Sequence, residues 1–168
     1  MNTETMSEQA EVAATEANEF VTVPETTLPG GMVVPAFRVG KYLTTEGQNG
    51  PVTITATGKV LVDVTYHQAR ELAEQAGFAL ITETQALAIA VNVASVAANW
   101  SGGAVGEGDL MRGLHLDLDD VSEPYPGTFV SPDPLERRMF TLSNGEQICD
   151  AAGNAYSWIF DDIQGDER

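Results

Sequence analysis

Apolar and polar positions along the chain fall into short runs of two kinds, one with period two and one with helical period, punctuated by glycine and proline. Met32-Val33-Val34-Pro35-Ala36-Phe37-Arg38-Val39 reads as a first strand, and Pro35, which cannot donate to a ladder, suits a sheet edge or strand start. Val52-Thr53-Ile54-Thr55-Ala56-Thr57 alternates cleanly, Gly58-Lys59 turns, and Val60-Leu61-Val62-Asp63-Val64 returns, which predicts a hairpin. Thr65 with Gln68 has the form of a capping box. It opens a helix that buries Ala69, Leu72, Ala73 and Ala76 and stops at Gly77. Thr82 with Gln85 repeats the box before a second helix through Leu87, Ala88, Val91, Ala94 and Ala98, ending before Trp100. Arg137 to Leu142 reads as a strand, Ser143-Asn144-Gly145-Glu146 as a hairpin turn, and Gln147-Ile148-Cys149-Asp150 as the returning strand. The pattern describes an α+β chain, two helices packed on short antiparallel sheets with long irregular loops. The alanine-rich helices call for close approach of helix and sheet.

Three stretches lie outside this pattern. Residues 1–31 are rich in Glu, Thr and Ala, contain no Lys or Arg, and end in Pro29-Gly30-Gly31. They read as an acidic arm, flexible or ordered on a partner, with a short helix available over Ser7 to Ala17; residues 32–168 then form the domain. Trp100-Ser101-Gly102-Gly103-Ala104-Val105-Gly106-Glu107-Gly108-Asp109 is glycine-rich. It lacks the Lys-Ser/Thr ending of a phosphate loop and follows a helix instead of a strand, so it reads as a surface loop. Leu114 to Asp120, followed by Pro124, Pro126, Pro132 and Pro134, is a long irregular excursion. Trp100, Ser101, Gly102, Gly103, Glu107, Asp109, Asp119, Asp120 and Tyr125 on these two loops are the candidate binding surface.

Charge narrows the partners. With 25 acidic and 8 basic side chains the formal net charge is −17, and such a chain repels the phosphates of nucleic acid and the head groups of anionic membranes. Cys149 is the lone cysteine, which excludes an intrachain disulfide and a zinc site built from several thiolates, and fits a small buried residue. No run is long enough to cross a bilayer, and the N-terminus lacks the basic-then-apolar order of a signal peptide, so synthesis in a cytoplasm is expected. Asp117, Asp119 and Asp120, with Glu107 and Asp109, lack the spacing of an EF-hand and read as a solvated acidic face. His67 and His115 have no metal-ligand spacing around them, His115 reading as a half-buried strand residue, and no G-x-S-x-G elbow appears.

The most specific stretch is Asp150-Ala151-Ala152-Gly153-Asn154-Ala155-Tyr156-Ser157-Trp158. Small residues allow a tight turn, Gly153 can take a positive φ, Asn154 can bond neighbouring backbone, and Tyr156 and Trp158 begin a period-two strand. This stretch resembles the "D-x-x-GN-x-WEW" segment of the formylglycine-generating-enzyme (sulfatase-modifying factor) family. Phe37 to Gln48 resembles that family's opening strand and loop, and Ala79-Leu80-Ile81-Thr82-Glu83-Thr84-Gln85 resembles its "RLPTEAEW" helix start. The three matches occur in the family's order over roughly residues 33 to 163.

The resemblance implies a C-type-lectin-like fold, which bacteriophages also use in tail fibres, receptor-binding proteins and the variable proteins of diversity-generating retroelements. The family's copper-binding cysteine pair lies C-terminal to the matched segment, and the sequence given closes before such a pair. The resemblance therefore implies a non-enzymatic virion protein, tail-tip or receptor-binding in preference to capsid decoration, whose open sheet edge is closed by its own copies or other virion proteins. Degenerate enzyme relative and calcium-dependent carbohydrate-binding module stand as alternatives. Carried over by position, a calcium set would be Asp150, the carbonyls of Gly153 and Ala155, and Ser157. Serine supplies no carboxylate there, so a turn held by Asp150 and Asn154 side-chain bonds is the other reading.

Overall fold

The computed structural model describes residues 18–47, 52–115 and 122–160. Among these the chain is α+β, with two α-helices and four two-stranded antiparallel sheets. Strands β1 (Phe20–Val23) and β2 (Thr26–Thr27) run out, and β3 (Val33–Val34) and β4 (Phe37–Gly40) run back. The pairs Val23↔Phe37 and Thr26↔Val34 keep one register, so the four strands are a single long hairpin. Its ladder is interrupted at Pro24 and Pro35, which have no N–H to give. Pro29-Gly30-Gly31 makes the tip, where Gly30 and Gly31 hold φ of 98° and 91°, in the left-handed region that glycine enters without steric cost.

This hairpin moves the boundary expected near residue 31. The folded body reaches back to Asn18, whose Oδ1 accepts from Ile54 N at 2.7 Å, and Val21, Val23 and Leu28 are buried. The signal was present in Phe20-Val21-Thr22-Val23, a period-two run outvoted by the acidic composition around it. Residues 1–17, including the helix expected over Ser7 to Ala17, lie outside the described residues.

The second expected hairpin also forms differently. β5 (Thr44–Glu46) pairs with β6 (Val52–Ile54) on one side. On its other side it meets the return segment through Thr45↔Val60, Glu46 N donating to Lys59 O and Leu61 N to Thr44 O. β5 therefore sits between the two runs that periodicity paired with each other. Thr44-Thr45-Glu46 has too little apolar content to announce a central strand, yet Thr45 is buried there, its hydroxyl 2.9 Å from that of Thr53.

Helices α1 (Tyr66–Gln75) and α2 (Glu83–Ala94) start at complete capping boxes on Thr65/Gln68 and Thr82/Gln85. In each, the threonine hydroxyl accepts the third helical N–H and the glutamine Oε1 accepts the cap N–H, so two orphan donors are satisfied. α2 stops at Ala94, short of the expected Ala98, and a 3₁₀ turn covers Ala97–Asn99. β7 (Met139–Thr141) and β8 (Gln147–Cys149) form the last hairpin about the predicted turn.

The core lies where α2 packs between the long hairpin and β7–β8. Val21, Val23, Ile89, Val93, Phe140, Leu142 and Ile148 form one buried cluster. Leu28, Val34 and Ala88 form a second around half-buried Phe37 and Val91. Ala88 is fully buried, and its methyl lets the helix come close to β3. The exposed edge of β1 is covered from the β7–β8 turn: Thr22 N donates to Glu146 Oε2 at 2.9 Å and Asn144 Nδ2 donates to Thr22 O at 2.9 Å, which blunts an edge open to strand addition.

Candidate functional site

Beyond β8 the chain turns sharply and three distant segments interlock. Asp150 and Asn154 hold φ of 50° and 61° and Gly153 a φ of 78°; Asp and Asn tolerate this region better than other side chains because their short polar groups bond locally. The fit leaves no spare volume. A Cβ on Gly113 would lie 1.4 Å from Ala152 O, and one on Gly153 would lie 2.3 Å from Leu114 O.

Arg138 occupies the centre of this turn. Its Nε donates to Asp150 Oδ1 and Oδ2 at 2.9 and 3.1 Å, and its Nη2 forms a further short contact with Oδ2. The remaining N–H groups donate to Pro124 O at 2.6 Å, Tyr125 O at 3.1 Å and Glu123 O at 2.9 Å. Asn154 completes the tie: its Nδ2 donates to Glu123 O at 2.8 Å and Asp150 Oδ2 at 3.0 Å, and its Oδ1 accepts Glu123 N at 3.0 Å. Asn154 thus pairs with residue 123 as a strand neighbour would. Asn154 N donates to Leu114 O, joining the third segment.

The Asp150 side chain is 1% exposed and that of Arg138 15%. Two opposite charges buried together with their hydrogen bonds satisfied are tolerable; either alone is not. Burial works against the Arg138 cation, but the hydrogen bond and charge of Asp150 outweigh it and raise its pKa. The neighbouring Cys149, buried at the end of β8 as expected, has its thiol pushed up to about 12, first by burial and then by the Asp150 charge.

This geometry does not fit the calcium set that the resemblance carries over. Both Asp150 oxygens are engaged by a guanidinium and an amide, and Arg138 already brings positive charge to the place of a cation. Gly153 O accepts from Ala155 N at 2.7 Å, and Ser157 is exposed. Among the described residues no cluster of three acidic, His or Cys side chains could hold a metal. The bonds of Asp150 and Asn154 hold the turn.

The candidate surface residues divide. Ser101, Gly102, Gly103, Glu107 and Asp109 are exposed on one closed loop. It is pinned by Trp100↔Leu110, by Ser101 N donating to Asp109 O, and by Asp109 N donating to Ser101 Oγ. Trp100 is a half-buried anchor, its Nε1 donating to Ala94 O at 2.8 Å behind the last turn of α2. Tyr125 is exposed and packs on Tyr42, ring centroids 5.2 Å apart, with the Arg138 guanidinium over its ring. Asp119 and Asp120, like Asp117, lie outside the described residues. His67 and His115 are both exposed, so the half-buried strand position expected for His115 is not realised.

Tyr156 to Ile159 do not form the expected strand. Their backbone finds no partner among the described residues until Phe160 N donates to Ile81 O, and Tyr156 is fully exposed. Trp158 anchors elsewhere: its Nε1 donates to Val64 O at 2.8 Å and its ring meets Tyr66 edge-on at 6.0 Å. Between α1 and the strands lies a half-open crevice of about 410 Å³, walled by Val39, Leu72, Ala73, Ile89, Ile148 and Cys149. Tyr42, Tyr156 and Trp158 also line it.

Sequence reasoning missed Arg138, Asn92 and Asn99. Asn92 bonds Ser143 through both amide atoms, and Asn99, 1% exposed, bonds Val93 O and both backbone groups of Thr141. Asn92 stands on an otherwise apolar helix face, a signal that could have been read; for Arg138 the signal was its place opposite Asp150 in the predicted hairpin. Comparison of the chain with family models, curated proteins and solved structures finds no match.

Proposed function

We propose that the chain is a non-enzymatic recognition domain of C-type-lectin-like fold on a bacteriophage or prophage particle, serving a tail-tip or receptor-binding role. The observation that carries the proposal is the Arg138–Asp150–Asn154 tie, which fastens the irregular segment 122–125 to a strand pair through buried, charge-assisted bonds. A domain that recognises through loops needs irregular backbone held as firmly as a sheet, because ordering a mobile loop on binding costs affinity. The glycine loop is closed by its own backbone and Ser101 hydrogen bonds, and Val105, Tyr125 and Val130 are exposed on these excursions. The order of elements supports the resemblance: two capped helices between an N-terminal hairpin and a C-terminal hairpin that runs into the Gly153-Asn154 turn. Partners on this reading are copies of the chain, other virion proteins, and a receptor or glycan on the host surface.

Immunogold labelling of particles from the source culture tests the role. Label at tail tips, with purified domain delaying adsorption to host cells, is the expected result. Protein confined to the soluble fraction, with unlabelled particles, overturns it, and label over the capsid shell replaces receptor binding with decoration.

A further inference from the structure

We propose that the crevice between α1 and the strands is a binding site for a neutral, largely apolar small molecule that carries a hydrogen-bond acceptor. The inference goes beyond the particle role and does not depend on it. Its volume of about 410 Å³ falls in the range of sites that enclose small ligands. Val39, Leu72, Ala73, Ile89 and Ile148 give aliphatic walls, which hold water poorly because they return no hydrogen bonds.

The carboxylate at the crevice is committed elsewhere, and the guanidinium that lines it, Arg38, is exposed. Asp150 is paired with Arg138, Arg38 lies over the Phe20 ring at 4.9 Å, and the buried Cys149 thiol stays neutral. A cation finds no free carboxylate among the lining residues, and an anion would meet the field of a chain of net charge −17. Besides the lining hydroxyls of Tyr42, Thr44, Tyr156 and Ser157, one amide handle is present. Gln85 lines the crevice, its Oε1 accepts Thr82 N, and its Nε2 has no partner among the described residues. That donor selects an acceptor such as a carbonyl.

The wall can receive a guest without moving. α1 is fastened at its two ends, by Trp158 against Val64 and Tyr66 before and at its start, and by Phe78 against Phe20, centroids 5.4 Å apart, just past its finish. Half-buried Ala69 and Leu72, both lining the crevice, lie between these fastenings.

The probe is Nile red, a neutral apolar dye with a carbonyl, titrated into the full chain by fluorescence with stoichiometry from equilibrium dialysis. Saturable one-to-one binding with blue-shifted emission is expected. Ala69→Trp fills the crevice from α1 and should weaken binding at least tenfold. Gln85→Glu keeps the oxygen that caps Thr82 N and removes the free donor, so it should weaken binding about tenfold, the worth of one hydrogen bond to the ligand. Circular dichroism checks that each variant keeps its helices; should Ala69→Trp not fold, Gln85→Glu carries the test. Non-saturable uptake, or wild-type affinity in Gln85→Glu, overturns the proposal. Dye binding that appears only when an oligomer is dissociated overturns it too, since the crevice would then hold a segment of another polypeptide.

Discussion

Arg138 and Asp150 show how one residue can hold three segments together. Arg138→Leu leaves the buried Asp150 carboxylate without a counter-ion and removes a donor from three carbonyls. Of these, Glu123 O keeps Asn154 Nδ2, Pro124 O keeps Gly127 N and Tyr125 O keeps none among the described residues. The loss should be about 3–5 kcal/mol in urea unfolding, a large part of the stability of a small domain. Asp150→Asn in the same background removes the orphaned charge, and the double variant should be more stable than Arg138→Leu alone. A double variant at or below the single one would show that the tie matters through the loop carbonyls and not through charge.

Cys149 gives the residue scale a pH signature. Its pKa is about 12 in the fold against 9.0 for an ordinary thiol. Below pH 9 both folded and unfolded chains hold the proton and the thiol has no effect on pH dependence. Above it the unfolded chain ionises first, so stability falls as pH rises from 9 towards 12. Cys149→Ala should flatten that alkaline decline in urea melts at pH 7, 9 and 10.5. At pH 8 the native thiol should resist iodoacetamide and react once the chain is unfolded. An unchanged alkaline slope in the variant would assign the decline to other groups, of which Lys41, raised by its hydrogen bonds to Tyr42 and Glu19, is one.

Among the elements, the helices were legible because their signals are local. Thr65-x-x-Gln68 and Thr82-x-x-Gln85 each place two reciprocal bonds within one turn, and both form as the spacing predicts. The caps should differ in consequence. Thr82→Ala removes the cap of α2, whose Ala88, Ile89 and Val93 belong to the core, and should cost about 1 kcal/mol and lower the whole melting transition. Thr65→Ala loosens α1, which has Ala73 as its buried residue. The same intrinsic loss should show chiefly as faster amide exchange in α1. Equal shifts in global melting for both variants would mean that α1 and α2 unfold as one unit. The strands were less legible for the complementary reason. β5 owes its place to neighbours from two different segments, and no feature of Thr44-Thr45-Glu46 alone reports them. β1 was readable as alternation, but the acidic residues before it suggested an arm.

The whole molecule is governed by its charge. A chain of net charge −17 repels itself, so raising NaCl from low to physiological strength should raise the melting temperature by several degrees. EDTA should leave that temperature and the mass in light scattering unchanged, since Arg138 holds the turn by itself. A drop of more than a degree or two on chelation would mean that a divalent ion supports the fold and that the reading of Asp150 is incomplete. A mass above that of one chain, insensitive to chelation, fits a particle component assembled from its own copies.

Local signals and composition sufficed for the α+β class of the chain, the two capped helices, the last hairpin and the burial of Cys149. Each follows from neighbours within a few positions or from a sum over composition, and neither needs tertiary contacts. Long-range contacts set the partners of β5, the reach of the body back to Asn18, the exposure of His115, and the enclosure of the Arg138–Asp150 pair by residues 123–125. These depend on which distant groups meet in a low-dielectric interior, where a buried polar group must find a partner. Arg138 and Asp150 already face each other across the predicted hairpin; the carbonyls of residues 123–125 that enclose them come from a segment no local signal ties to it.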